Sequence, residues 1–69
     1  MNMDKITYEK FSEFLKEQYI RFDIEIINDI YNVIIKNNFL NSYTLMNIID
    51  YSLLNSFKIY KLDSNLIIY

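Results

Sequence analysis

Phe22–Leu40, FDIEIINDIYNVIIKNNFL, decides how the chain is read. Laid on a helix, it puts Glu25, Asn28, Asp29, Asn32 and Lys36 along one narrow stripe, at the spacing of a single helix face. Ile24, Ile26, Ile27, Ile30, Tyr31, Val33, Ile34 and Ile35 fill the rest of the circumference. A helix wet on one stripe needs partners on its other sides, so this reading makes it the centre of the domain. Asp23 caps its start, and Phe22 reaches forward to Ile27 as a hydrophobic staple. Asn37 and Asn38 supply the left-handed ending that glycine would otherwise give. The expected helix spans 24–36.

On its N-terminal side lies a second amphipathic stretch. Tyr8, Phe11, Phe14, Leu15, Tyr19 and Phe22 recur at helical spacing, and Thr7 stands where an N-cap belongs. This predicts a helix over 8–20, preceded by a flexible leader over 1–6. On the C-terminal side, Asn41 or Ser42 caps a third helix over 43–55. Its inward residues are Leu45, Met46, Ile48, Ile49 and Leu53. The period then changes. Phe57–Leu62 alternates and is rich in aromatic and branched residues, Asp63-Ser64-Asn65 is turn-forming, and Leu66–Tyr69 is a second short run. A β-hairpin pairing 57–62 with 66–69 follows. The expected fold is α+β, a single domain over 1–69 with three helices and a C-terminal β-hairpin.

That order of elements resembles the winged-helix topology. The resemblance rests on element order across most of the chain, not on a sequence motif. It implies that the helix over 43–55 is a recognition helix and the hairpin a wing.

Composition narrows the function. A chain of 69 residues buries only about 60% of the surface its unfolded form exposes, so small domains recruit disulfides, metals or a second subunit. There is no Cys and no His, which removes disulfides and the usual zinc, copper and iron ligands. An unusually apolar core, drawn from a chain that is 52% hydrophobic, or self-association as a homodimer, must serve instead. No run approaches the ~20 apolar residues of a membrane span, and the first residues have no signal core. The reading is an intracellular, cytoplasmic protein without a membrane anchor. Thirteen Ile and nine Asn, against no Ala, Gly or Pro, are what AT-rich coding gives, pointing to a phage, plasmid or viral accessory protein.

No catalytic constellation is visible: no nucleophile beside a base, no phosphate-cradling loop and no converging carboxylates. The expectation is no enzyme and no cofactor. Glu9, Glu13 and Glu17 line one face of the first helix and offer an acidic surface to a basic partner. Asn47, Asp50 and Tyr51 mark the exposed side of the third helix as a second protein-docking surface. The alternative is a winged-helix DNA-binding transcriptional regulator. There Thr44 and Asn47 would enter a groove, with Asn47 reading adenine, and Lys58 and Lys61 would hold phosphates. A net charge of −2 and the lack of any Arg or Lys between Ser42 and Phe57 weigh against it. The favoured function is a small non-catalytic protein that acts by docking on another protein.

Overall fold

The computed structural model describes residues 2–69. The chain runs α1 (Lys5–Glu17), β1 (Asp23–Ile27), β2 (Ile30–Lys36), one 3-10 turn (Asn37–Phe39), α2 (Ser42–Leu54), β3 (Ile59–Leu62) and β4 (Asn65–Ile68). The strands form one antiparallel sheet in the order β1-β2-β4-β3. This is α+β, but it is not three helices and a terminal hairpin. The stretch expected as the central helix, 24–36, is itself a hairpin, and the winged-helix order goes with it.

The physical reason sits at Asn28-Asp29. Both residues have positive φ, 49° and 63°, and Ile27 pairs with Ile30 across them. Two left-handed residues between paired positions make a type I′ turn, whose twist matches that of the flanking strands. Asn and Asp tolerate this conformation better than other side chains. Isoleucine, stiff at χ1, favours strands over helices. Either side of the turn the pattern is period two: Ile24 and Ile26 on one face of β1, then Tyr31, Val33 and Ile35 on the same face of β2.

Both helices are built alike. The Asp4 side chain accepts from the Thr7 N–H at 2.8 Å, and the Asn41 side chain accepts from the Thr44 N–H at 2.8 Å. Both caps satisfy an orphan donor of the first turn. At the far ends Tyr19 (φ 56°) and Ser56 (φ 59°) turn left-handed. The Ile20 N–H then returns to the Leu15 carbonyl and the Phe57 N–H to the Ser52 carbonyl, the six-to-one bond of a Schellman ending. The residues that follow, Ile20 and Phe57, are buried. Thr7, expected as a cap, is inside α1. The expected leader is not free either: Met3 is wholly buried, and its carbonyl accepts from the Tyr31 N–H at 2.9 Å. Met1 lies outside the described residues.

These matching details belong to a repeat. The chain is two αββ units, α1-β1-β2 and α2-β3-β4, joined through their second strands. Ile27↔Ile30 closes the first hairpin and Leu62↔Asn65 the second, so Val33 of one unit corresponds to Ile68 of the other. Val33 and Ile68 also pair with each other across β2 and β4. A pseudo-twofold axis therefore passes through that pair, and both side chains have no exposed surface.

Apart from Ile67, the buried residues of the sheet lie on one face. Val33, Ile35, Leu66 and Ile68 face Phe11 and Leu15 of α1, Ile48 of α2, and Met3, Ile20 and Phe57 from the connections. Among the described residues, the other face carries no helix. Its rows read Glu25-Asn32-Tyr69-Lys58 and Asp23-Ile34-Ile67-Tyr60.

Two predictions follow from this architecture. Asp29→Gly should raise the thermal midpoint, because glycine takes the left-handed conformation without the cost of about 1 kcal/mol borne by a side chain there. In a helix interior the same change would lower stability by a few tenths of a kcal/mol, so the sign of the shift in a thermal melt separates the two folds. The second concerns Asp4. The Thr7 side chain and N–H hydrogen-bond its carboxylate and hold its pKa below the ordinary 3.8. A depressed carboxylate pKa stabilises the fold above the unfolded value and loses that effect as pH falls through the folded one. Melts of the wild type and of Asp4→Asn, compared between neutral pH and acid, should therefore converge as the pH drops below 3.8.

Candidate docking site

The surface least accounted for by packing is β1. All five of its residues are exposed, and Ile24, Ile26 and Ile27 show 43%, 52% and 49% of their surface. Strands this apolar normally lie under something. β1 is at the edge of the sheet, and Ile24 and Ile26 point to the helix side, beside half-buried Phe22 and Tyr31. Tyr8 stacks on Tyr31 at 4.7 Å and meets Phe22 edge-on at 6.5 Å, so an aromatic shelf adjoins the two isoleucines.

The backbone shows which groups are free. In a two-residue hairpin the closing pair, Ile27↔Ile30, exchanges hydrogen bonds, and alternate pairs do not. Ile26↔Tyr31 and Ile24↔Val33 are the pairs that do not. Their β1 members therefore turn N–H and C=O outward, away from β2. The Tyr31 N–H, which likewise faces away from β1, goes to Met3. The β1 edge thus offers the main-chain groups of Ile24 and Ile26, flanked on the helix-free face by Asp23 and Glu25. An unpaired strand edge is a template for another strand.

The helix-free face has its own character. Ile67 is only 7% exposed although no layer covers it, with Ile34 and Tyr60 as its cross-strand neighbours. Tyr60 and Tyr69 meet edge-on at 5.9 Å, and the Lys58 ammonium lies 5.8 Å from the centre of the Tyr69 ring. A cavity of about 550 Å³ opens where the 18–23 connection, the end of β2 and the start of α2 meet. Arg21, Lys36, Asn41 and Thr44 are among its lining residues, over Ile20, Ile35 and Leu40.

The residues singled out from the sequence fall apart in space. Glu9, Glu13 and Glu17 are exposed on α1, as a solvated stripe. Asp50 is exposed on α2. Tyr51 is not a surface reader: its ring stacks on Phe14 at 4.3 Å and on Phe11 at 5.4 Å, against the core. The Asn47 amide donates to the Gln18 side chain at 3.4 Å, tying α2 to the end of α1. Thr44 borders the cavity. Lys58 pairs with Tyr69 and Lys61 with Leu66, which puts the two lysines on opposite faces of β3. The wing expected to present them together is absent, because β4 lies in the middle of the sheet. Sequence reasoning missed Ile24 and Ile26 by burying them in a helix. The period-two run ahead of Asn28-Asp29 was the signal for them.

Among the described residues, no three acidic side chains converge into a metal-sized cluster, and no helix is long and apolar enough to cross a membrane. Comparison with protein-family models, curated proteins and solved structures returns no match for this chain.

The placement of Tyr51 has a measurable consequence. Tyr51→Phe should leave the thermal midpoint within a degree or two, whereas Tyr51→Ala should cost about 3 kcal/mol, the low end for an aromatic truncated in a core. A surface recognition residue would tolerate both changes.

Proposed function

We propose that this chain is a small non-catalytic protein that acts by docking on another protein, and that β1 is the element it docks with. One observation carries the reading: a five-residue edge strand, exposed at every position, holding three isoleucines and the outward main-chain groups of Ile24 and Ile26. A partner segment in extended conformation adds to such an edge by main-chain hydrogen bonds. Its alternate side chains then meet Ile24 and Ile26 on one face and Asp23 and Glu25 on the other. The aromatic shelf of Tyr8, Phe22 and Tyr31 gives the first set an apolar floor.

The acidic stripe of α1 takes no part in this mode, and the groups of α2 offered earlier are partly committed to the interior. The open edge supports protein docking more directly than either.

Selection of extended peptides from a displayed random library, read out by amide hydrogen exchange, tests the proposal. Bound peptides should slow exchange at the amides of Ile24 and Ile26. Ile26→Pro removes an outward N–H without breaking the β1–β2 ladder, and should weaken binding at least tenfold, about 1.4 kcal/mol. Replacing Glu9, Glu13 and Glu17 by Gln should leave binding unchanged. Selected peptides that protect α1 or α2 instead, or a library that yields no binder, would overturn the assignment.

A further inference from the structure

We infer that copies of this chain associate head to tail, with β3 of one copy docking on β1 of the next. The inference rests on the reading of β1 as an edge that accepts a strand, and goes beyond it by naming an occupant. The sheet has two edges, and the pseudo-twofold that relates the αββ units relates them to each other. Because all strands are antiparallel in the order β1-β2-β4-β3, β1 and β3 run in opposite directions. A second copy placed alongside in the same orientation therefore brings its β1 antiparallel to β3, with the helices of both copies on one side.

The two edges carry opposite charge. β1 holds Asp23 and Glu25 and no cation, and the two hairpin turns carry one aspartate each, Asp29 and Asp63. From Phe57 to Leu62 the only charged residues are Lys58 and Lys61. Pairing β1 with a second β1 sets carboxylates among carboxylates, and pairing β3 with a second β3 does the same with ammonium groups. Both isologous contacts are thus disfavoured, and the heterologous one is left. Lysines on an edge strand ordinarily deter pairing with apolar strands. Here they deter apolar and basic edges while admitting an acidic one.

The free backbone groups and the charges together select one register. Lys58 and Tyr69 exchange two hydrogen bonds, so Ile59, next along β3, turns its N–H and C=O outward. Ile24 does the same on β1. Setting Ile24 opposite Ile59 of the neighbouring copy lets these groups bond and puts Glu25 opposite Lys58. Both of those lie on the helix-free face, in the pair type where side chains approach closest. Ile24 and Ile59 face the helix side together.

Strands of five and four residues bury too little for a tight complex, which needs roughly 1,000 Å² or more. The association is therefore weak, concentration-dependent and salt-sensitive, and it does not close at two copies. Sedimentation velocity of the full chain at low salt, over about a hundredfold range of concentration, tests this. The mean mass should climb past that of a dimer and fall back when salt is added. Glu25→Lys and Lys58→Glu should each be monomeric, with melts that show both folded, and an equal mixture of the two should regain association because each edge meets its complement again. A wild type that stays monomeric throughout overturns the inference, as does a mass that stops at two, or a mixture that fails to recover. None of these touches β1 as a docking edge for another protein, which stands or falls on the amides of Ile24 and Ile26 in the peptide selection.

Discussion

The contact on which the rest depends is the seam between β2 and β4. Val33 and Ile68 pair there at the pseudo-twofold, with Ile35 opposite Leu66 one step along on the same face. These four are the floor on which both helices rest. A lone hairpin is marginal in water. Two of them joined through their second strands make a four-stranded sheet wide enough to seat one helix per unit, so Phe11 and Leu15 of α1 and Ile48 of α2 find a common surface. The seam also explains what is left bare. Spending the second strand of each unit on the join leaves each first strand at an edge, and putting both helices on one face leaves the other uncovered.

Much of this was legible before the structure. α1 and α2 announce themselves by period and by cap, and they differ from expectation by a few residues. The shift in α1 has a definite cause: Thr7 and Asp4 are both acceptable caps, and burial of Met3 favours the earlier one. The hairpin at the end was read correctly as paired strands, although its loop is Asp63-Ser64, with Asp63 at φ 55°, so Asn65 belongs to β4. The largest failure was at 22–40, with smaller ones at Tyr51, stacked on the core, and at Met46 and Leu53, expected inward but exposed. A two-residue turn in the middle of two alternating runs displaces the second run by just enough to imitate a helical stripe. Glu25, Asn28, Asp29, Asn32 and Lys36 satisfy both patterns. Density of isoleucine and the Asn-Asp pair favoured the strand, but without glycine the turn did not stand out. The repeat was hidden for another reason: its halves share roles rather than residues, as with Leu15 and Ser52, which accept equivalent bonds at the two helix ends. The docking site went unseen with the hairpin, since a strand edge has no meaning inside a helix.

The absence of glycine runs through the whole energetic account. Among the described residues five take positive φ: Tyr19, Asn28, Asp29, Ser56 and Asp63. Each ends a helix or turns a hairpin. Asn and Asp bear the conformation best, and Tyr19 and Ser56 less well. The fold tolerates them because each such residue is followed or flanked by something that holds it: buried Ile20 and Phe57 behind the helix ends, and paired isoleucines or Leu62 and Asn65 around the turns.

The two αββ units are connected by main chain only through the short stretch 37–41, and they meet elsewhere by strand pairing and side-chain packing. Nothing in that meeting distinguishes a unit of the same chain from one supplied by another. If 37–41 straightens, α1-β1-β2 of one molecule can receive α2-β3-β4 of a second while the second receives in turn, with the Val33–Ile68 pair rebuilt twice between chains. Such an exchange keeps the contacts between the units and gives up only those of the stretch itself, such as Leu40 against the core and the Asn37 N–H on the Ser64 carbonyl. The chain is thus, in its covalent plan, a tethered pair of halves, and the tether is what makes them one molecule.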